Sequence, residues 1–117
     1  MISPRGDLKI LIASRPIDFR KGVHGLVALV AEALKADPYC GDAFVFRSKR
    51  ADRLKILVFD GTGLVLATKW LEEGVFTFPP VQDGAILLTA EQLSVLMAGL
   101  DWSRVVPRPV KRPTKAC

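Results

Sequence analysis

The residues Phe44-Val45-Phe46-Arg47-Ser48-Lys49-Arg50-Ala51-Asp52-Arg53-Leu54-Lys55-Ile56-Leu57 carry the strongest structural signal in the chain. Apolar, aromatic and β-branched residues occupy both ends, and the centre is short, polar and cationic. That pattern predicts two strands, over 43–47 and 54–59, joined by a basic hairpin tip. Side chains alternate along a strand, so Leu54, Ile56 and Val58 share one face while Lys55 lies on the other with Leu57 and Phe59. The tip is expected to project Arg47, Lys49, Arg50 and Arg53 from a rigid strand pair, an arrangement suited to phosphates. Basic residues also blunt sheet edges, and charge alone fits either reading.

Upstream of this hairpin, residues 8–13 read as a strand stopped by Arg15-Pro16. After Asp18 the period changes: Val23, Leu26, Val27, Val30 and Leu34 fall on one helical face. Asp18 suits the N-cap of that helix, and Asp37-Pro38 with Gly41 closes the segment. Downstream, Asp60-Gly61-Thr62-Gly63 is a hairpin turn in which glycine supplies positive φ. Strands over 64–71 and 75–78 follow, separated by Glu72-Glu73-Gly74 and ended by Pro79-Pro80; residues 85–88 add a last short strand. Thr89-Ala90-Glu91-Gln92 has the form of a capping box and opens a helix with Leu93, Leu96, Met97 and Leu100 on one face. The expectation is an α+β domain over residues 1–102, with an antiparallel β-meander sheet of about five strands and two segregated helices. An extended basic tail over 103–117, alternating proline with Arg or Lys, is expected to be solvated and disordered.

The 117 residues carry 17 Lys+Arg and 12 Asp+Glu, a net charge of +5. Half the residues are apolar and a quarter charged, which fits one folded domain and excludes intrinsic disorder as the main state. The net charge is +1 over residues 1–46, +4 over 47–55, −5 over 56–102 and +5 over 103–117. The surplus thus belongs to the hairpin and the tail, and the later half of the body is acidic. Segregation of this kind points to a polyanionic partner. No apolar run approaches the roughly 20 residues of a membrane span, and Met1-Ile2-Ser3-Pro4-Arg5-Gly6 lacks the apolar core of a signal peptide, so the cytoplasm is expected.

A second basic group, Arg20 and Lys21, falls in the first turn expected for the helix. Cations there oppose the helix dipole. They either share an anion with the free backbone N–H groups or pair with Asp18. Chemistry is harder to find. Cys40 and Cys117 fit no zinc spacing, and the single histidine, His24, sits inside a helical apolar pattern and reads as partly buried and structural. A carboxylate–metal centre needs two or three converging Asp or Glu, yet Asp18 is accounted for by capping, Asp60 by a turn, and Glu72-Glu73 by another turn. No cofactor and no metal are expected. Trp70 and Trp102 could stack on bases, but packing beside strong apolar patterns is the expected role of both.

Six motifs in order carry a family resemblance: Arg15-Pro-x-Asp18-x-Arg20-Lys21-Gly22; Asp37-Pro38-x-x-Gly41; Phe44-Val-Phe46-Arg47-x-x-Arg50-x-Asp52-Arg53-x-Lys55-x-Leu57; Asp60-Gly61-x-Gly63; Lys69-x-Leu71-Glu72-x-Gly74-x-Phe76-x-x-Pro79; and Thr89-x-x-x-Leu93-x-x-Leu96-x-x-Gly99. Together they resemble the accessory protein, or second open reading frame product, of the insertion-sequence-sixty-six transposon family. The resemblance runs from about residue 10 to residue 102. It departs at Val58, Ala67 and Thr68, where aromatic residues are usual, and at Trp70, a position often basic. What it implies is a non-enzymatic helper in transposition, encoded beside a separate, larger transposase that carries the catalytic carboxylates.

Binding to transposon DNA is inferred from the hairpin and the tail and is not supplied by the family. In that reading Arg47, Lys49, Arg50, Arg53 and Lys55 position phosphates, with Arg20 and Lys21 as a second site. The alternative is an adaptor that docks the transposase or a second copy of itself through the acidic 56–102 half and an open sheet edge, without touching DNA. No membrane partner is expected.

Overall fold

A computed structural model describes residues 9–105. Its elements run β1 (Ile10–Pro16), α1 (Val23–Glu32), β2 (Ala43–Arg47), β3 (Arg53–Phe59), β4 (Leu64–Trp70), β5 (Ala85–Leu88) and α2 (Ala90–Met97), closed by a 3-10 turn at Trp102–Arg104. The five strands form one sheet in the order β4-β3-β2-β1-β5. The tail expectation lies outside the described residues from position 106 onward.

The sheet is mixed, which corrects the expected all-antiparallel meander. β2, β3 and β4 are consecutive antiparallel neighbours, but β1 runs parallel to β2. The reason is α1. A parallel pair needs a crossover, and a helix between two strands supplies one. The chain therefore leaves β1, crosses the sheet as α1, and re-enters beside β1 in the same direction. Residues 75–78 are not a strand. The chain turns away after Trp70, and β5 instead pairs antiparallel with β1 on the far edge.

Strand alternation sorts the core into two layers, one under each face. Ala13, Phe44, Phe46 and Leu57 pack against Leu26 and Val30 of α1. Ile10, Ile12, Val45, Leu54, Val58 and Leu88 pack against Leu96 of α2, Phe76 and Trp102. One helix thus covers each face. Residues 75–78 cross the α2 face as a strap. Phe76 is buried there, and the Trp102 indole N–H donates to the Thr77 carbonyl.

The helix ends follow local chemistry. Thr89 Oγ1 accepts from the Gln92 N–H and Gln92 Oε1 accepts from the Thr89 N–H, so the expected capping box is present. The other end of α2 closes at Gly99, φ 78°, with Gly99 N–H bonded to Leu96 O and Leu100 N–H to Val95 O. This glycine-based stop ends the helix short of Leu100, which is exposed instead of facing the core. Replacing Thr89 by alanine removes a reciprocal pair of bonds and is expected to cost about 1 kcal/mol, read as a lower urea midpoint at unchanged slope. α1 begins later than expected, at Val23 with Gly22 as N-cap and no side-chain cap. His24 is exposed on it, not partly buried.

Candidate nucleic-acid interface

The β2–β3 tip is a tight, stiff turn. Ala51 N–H donates to Ser48 O and Ser48 N–H to Arg53 O. The Ser48 hydroxyl donates to Asp52 Oδ1 and accepts the Arg53 N–H. Ala51 takes a left-handed backbone, φ 59°, that costs a non-glycine residue about 1 kcal/mol or more. The surroundings enforce it: Ala51 O accepts from Phe76 N–H and Asp52 O from Leu71 N–H, so the core strap grips the tip from below. Lys49 and Arg50 are left exposed at the outer bend.

The five cations expected at this tip have three different settings. Arg47 and Arg53 leave on opposite faces of the sheet, because one follows Val45 and the other precedes Leu54. On the α2 face, Arg47 Nε donates to the Ser14 carbonyl at 2.8 Å, and its guanidinium lies 5.8 Å from the Phe78 ring centre. Ser14 sits where the β1–β2 register shifts, and the arginine satisfies the carbonyl that the irregularity frees. On the α1 face, Arg53 lies between two aromatic rings, 5.2 Å from Phe19 and 5.8 Å from Trp70. Lys55 is buried, which corrects its expected place among the projecting cations. Its ammonium donates to Phe19 O and Lys21 O, both at 2.7 Å, and sits 4.4 Å from the Phe19 ring centre. Lys49 and Arg50 are therefore the exposed cations of the tip, and Arg53 is half-buried between its two rings.

The lysine staple brings together two segments that the sequence presents separately. Ile17 N–H donates to Arg47 O, and Lys55 holds the carbonyls of Phe19 and Lys21, so the β1–α1 loop lies against the hairpin. Between them is a cleft of about 500 Å³. Pro16, Ile17, Asp18 and Phe19 form one wall, and Ser48, Lys49, Arg50 and Arg53 the other. A smaller cleft of about 330 Å³, lined by Asp52, Arg53, Trp70, Leu71 and Glu72, adjoins it through Arg53.

The second expected site is altered. Asp18 does not cap α1. It accepts the Arg20 N–H and grips the Arg20 guanidinium with both carboxylate oxygens, Nη2 to Oδ2 at 2.7 Å. These bonds hold the Asp18 carboxyl well below the usual carboxylate range. Arg20 is thus charge-compensated, and both Arg20 and Lys21 precede the helix instead of crowding its first turn. Lys21 is exposed.

Asp60 behaves as the turn residue expected. Its Oδ1 accepts from Thr62 N–H, Thr62 Oγ1 and Gly63 N–H, and these bonds hold its carboxyl down to about 2. A depressed pKa contributes stability above the unfolded value, near 4, that disappears as pH falls through about 2. An NMR titration of the Asp60 carboxyl is expected to show that low midpoint, and Thr62→Ala should raise it.

Trp70 corrects another expectation: it is 67% exposed, whereas Trp102 is buried. Its position opposite Arg53 follows from the turn at Asp60–Gly63, which fixes the β3–β4 register. Phe19 falls on an unspecified position of the Arg15–Gly22 motif, and nothing in its spacing announced that two cations, Arg53 and Lys55, would lie over its ring. Among the described residues there is no group of three or more His, Cys, Asp or Glu that could hold a metal ion, and no helix is long and apolar enough to cross a membrane.

The profile of the IS66 Orf2-like proteins matches residues 8–107, nearly the whole chain. The chain belongs to that family. Membership gives it a transposition-associated accessory role, in a family not known for enzymes. Two proteins of Sinorhizobium fredii (strain NBRC 101917 / NGR234) are similar over 98% of both lengths. Uncharacterized protein y4jC is 61% identical over 115 residues, and uncharacterized protein y4hO is 38% identical over 115 residues. No solved structure matches the chain. Pro16–Phe19 and Ser48–Arg53, from two motifs that lie apart in the sequence, form the two walls of one cleft.

Proposed function

We propose that this IS66 Orf2-like protein serves transposition by binding transposon DNA in the cleft between the β1–α1 loop and the β2–β3 tip. The observation that carries it is the placement of Lys49, Arg50 and Arg53 along one wall of that cleft, where among the described residues no carboxylate pairs with Lys49 or Arg50. Arg53 keeps only a loose ion pair to Asp52, at 3.7 Å. A stiff turn brings its cations to phosphates with little backbone ordering cost, and they act by counterion release. Arg47 and Lys55 support the site from behind. Lys21 lies at its border, and the cationic tail adds non-specific attraction. The protein works in the cytoplasm beside the separate transposase and uses neither metal nor cofactor. Fluorescence anisotropy with labelled duplex from a transposon end tests this. Affinity is expected to fall by about 40-fold between 50 and 200 mM salt, as three phosphate contacts require. Salt-insensitive binding, or no binding to that DNA either as duplex or as its separated strands, would contradict the proposal.

A second reading has its own observation. β4 is an edge strand of seven residues. Asp60 N–H to Gly63 O and Leu71 N–H to Asp52 O turn the odd-numbered residues toward β3. The backbone groups of Leu64, Leu66, Thr68 and Trp70 therefore face outward, an edge that a strand of the transposase or of a second copy could extend. In this adaptor reading the protein co-purifies with the transposase from nuclease-treated extract and does not bind DNA alone.

A further inference from the structure

We infer that the strand bound in the cleft is unpaired DNA, with phosphates along Lys49, Arg50 and Arg53 and one base stacked on Trp70. This rests on the DNA-binding reading and narrows it from duplex to single strand. Three features lead to it.

The first is shape. A reader of duplex grooves presents a protruding helix or ribbon. Here the tip is held down by Phe76 and Leu71, and its cations line a concavity whose opposite wall includes the apolar side chains of Ile17 and Phe19. A cleft of about 500 Å³, with one cationic wall and one largely apolar wall whose single carboxylate, Asp18, is held by Arg20, accepts a single backbone with its bases turned in.

The second is Trp70. A tryptophan 67% exposed forgoes most of the stabilisation that burial of so large a ring provides. It is nevertheless fixed in place, at the end of a paired strand opposite Arg53 and 5.8 Å from its guanidinium. An indole held open beside a guanidinium is a stacking platform, and only an unpaired base has a free π-face to offer it.

The third is the charge of the adjoining cleft. Asp52 and Glu72 line it together with Trp70. Carboxylates repel phosphate, so the backbone stays on the Lys49–Arg50 side of Arg53 and the base crosses to the Trp70 side. There the same carboxylates accept from exocyclic amino groups. Cytosine, which carries one, is preferred to thymine, which does not.

The test uses the full-length protein with twelve-nucleotide single strands of cytosine or thymine and a twelve-base-pair duplex, compared at each of several salt concentrations. The expected result is single-strand affinity at least tenfold above duplex, cytosine above thymine, and quenching of tryptophan emission. The quenching is assigned to Trp70, since Trp102 is buried with its indole bonded to Thr77. Trp70→Ala should lower single-strand affinity on the order of tenfold, leaving duplex affinity and the salt slope unchanged. Trp70→Phe should retain part of the loss, and it replaces the alanine variant if that one melts early. Equal or tighter duplex binding, or single-strand affinity indifferent to Trp70, overturns the inference while the DNA-binding reading stands. Absence of binding to all three overturns both.

Discussion

Lys55→Met is expected to lower the unfolding free energy by about 2–3 kcal/mol, more than any other single polar substitution considered above. The wild-type ammonium makes two hydrogen bonds of 2.7 Å to backbone carbonyls and rests on the Phe19 ring. Hydrogen bonds to a charged group contribute about 1.5–3 kcal/mol each, and the methionine recovers part of the loss through its own apolar burial. For a domain near 100 residues that change lowers Tm by on the order of 10 °C. The damage should be local before it is global. Phe19 and Lys21 lose their anchor to β3, so amide exchange in residues 18–22 accelerates more than in β2 or β5. Urea unfolding and hydrogen exchange read the two effects. A variant of wild-type stability would show that water replaces the ammonium at both carbonyls and that the lysine is no staple.

The double replacement of Lys49 and Arg50 by alanine should do the opposite: leave stability within about 0.5 kcal/mol and remove most of the DNA affinity. Both side chains are exposed at the bend, and neither is hydrogen-bonded among the described residues. Each lost phosphate contact reduces the slope of log K against log salt by about 0.9, so the pair flattens it by roughly 2. At 0.1 M salt the same relation gives a loss on the order of 50-fold. Arg53 is a poorer probe, because removing it also disturbs Phe19 and Trp70. An unchanged slope in a folded double variant would move the electrostatic contact elsewhere, with the tail as the first place to look.

Much of this geometry was legible in the residues. Alternation in Phe44–Leu57 correctly placed Leu54, Ile56 and Val58 on one face and Leu57 on the other, and the Thr89 and Asp60 motifs formed the capping box and turn they spell. Parallel pairing of β1 with β2 was missed because local pattern has no term for which strand lies beside which. The clue was the helix between them. Lys55 was misread for a related reason. Alternation put it on the α1 face, but α1 does not extend over it, and only the tertiary approach of the Phe19–Lys21 carbonyls turns a surface lysine into a buried one. Arg47 and Arg53 looked like one basic group in sequence and are two groups in space, because a hairpin with an odd offset sends them to opposite faces. The exposed Trp70 could have been found by counting outward from Asp60–Gly63 to its partner Arg53, a position already edge-bound.

Chemical-shift mapping on the labelled protein addresses the central claim most directly. On titration with single-stranded DNA from a transposon end, the largest shifts are expected at Lys49, Arg50, Arg53, Phe19 and the Trp70 indole. β5 and α2, across the sheet and on its other face, should stay still. Shifts confined to the 85–97 region, or none at saturating DNA, would contradict a nucleic-acid role for the cleft and leave the β4 edge as the functional surface.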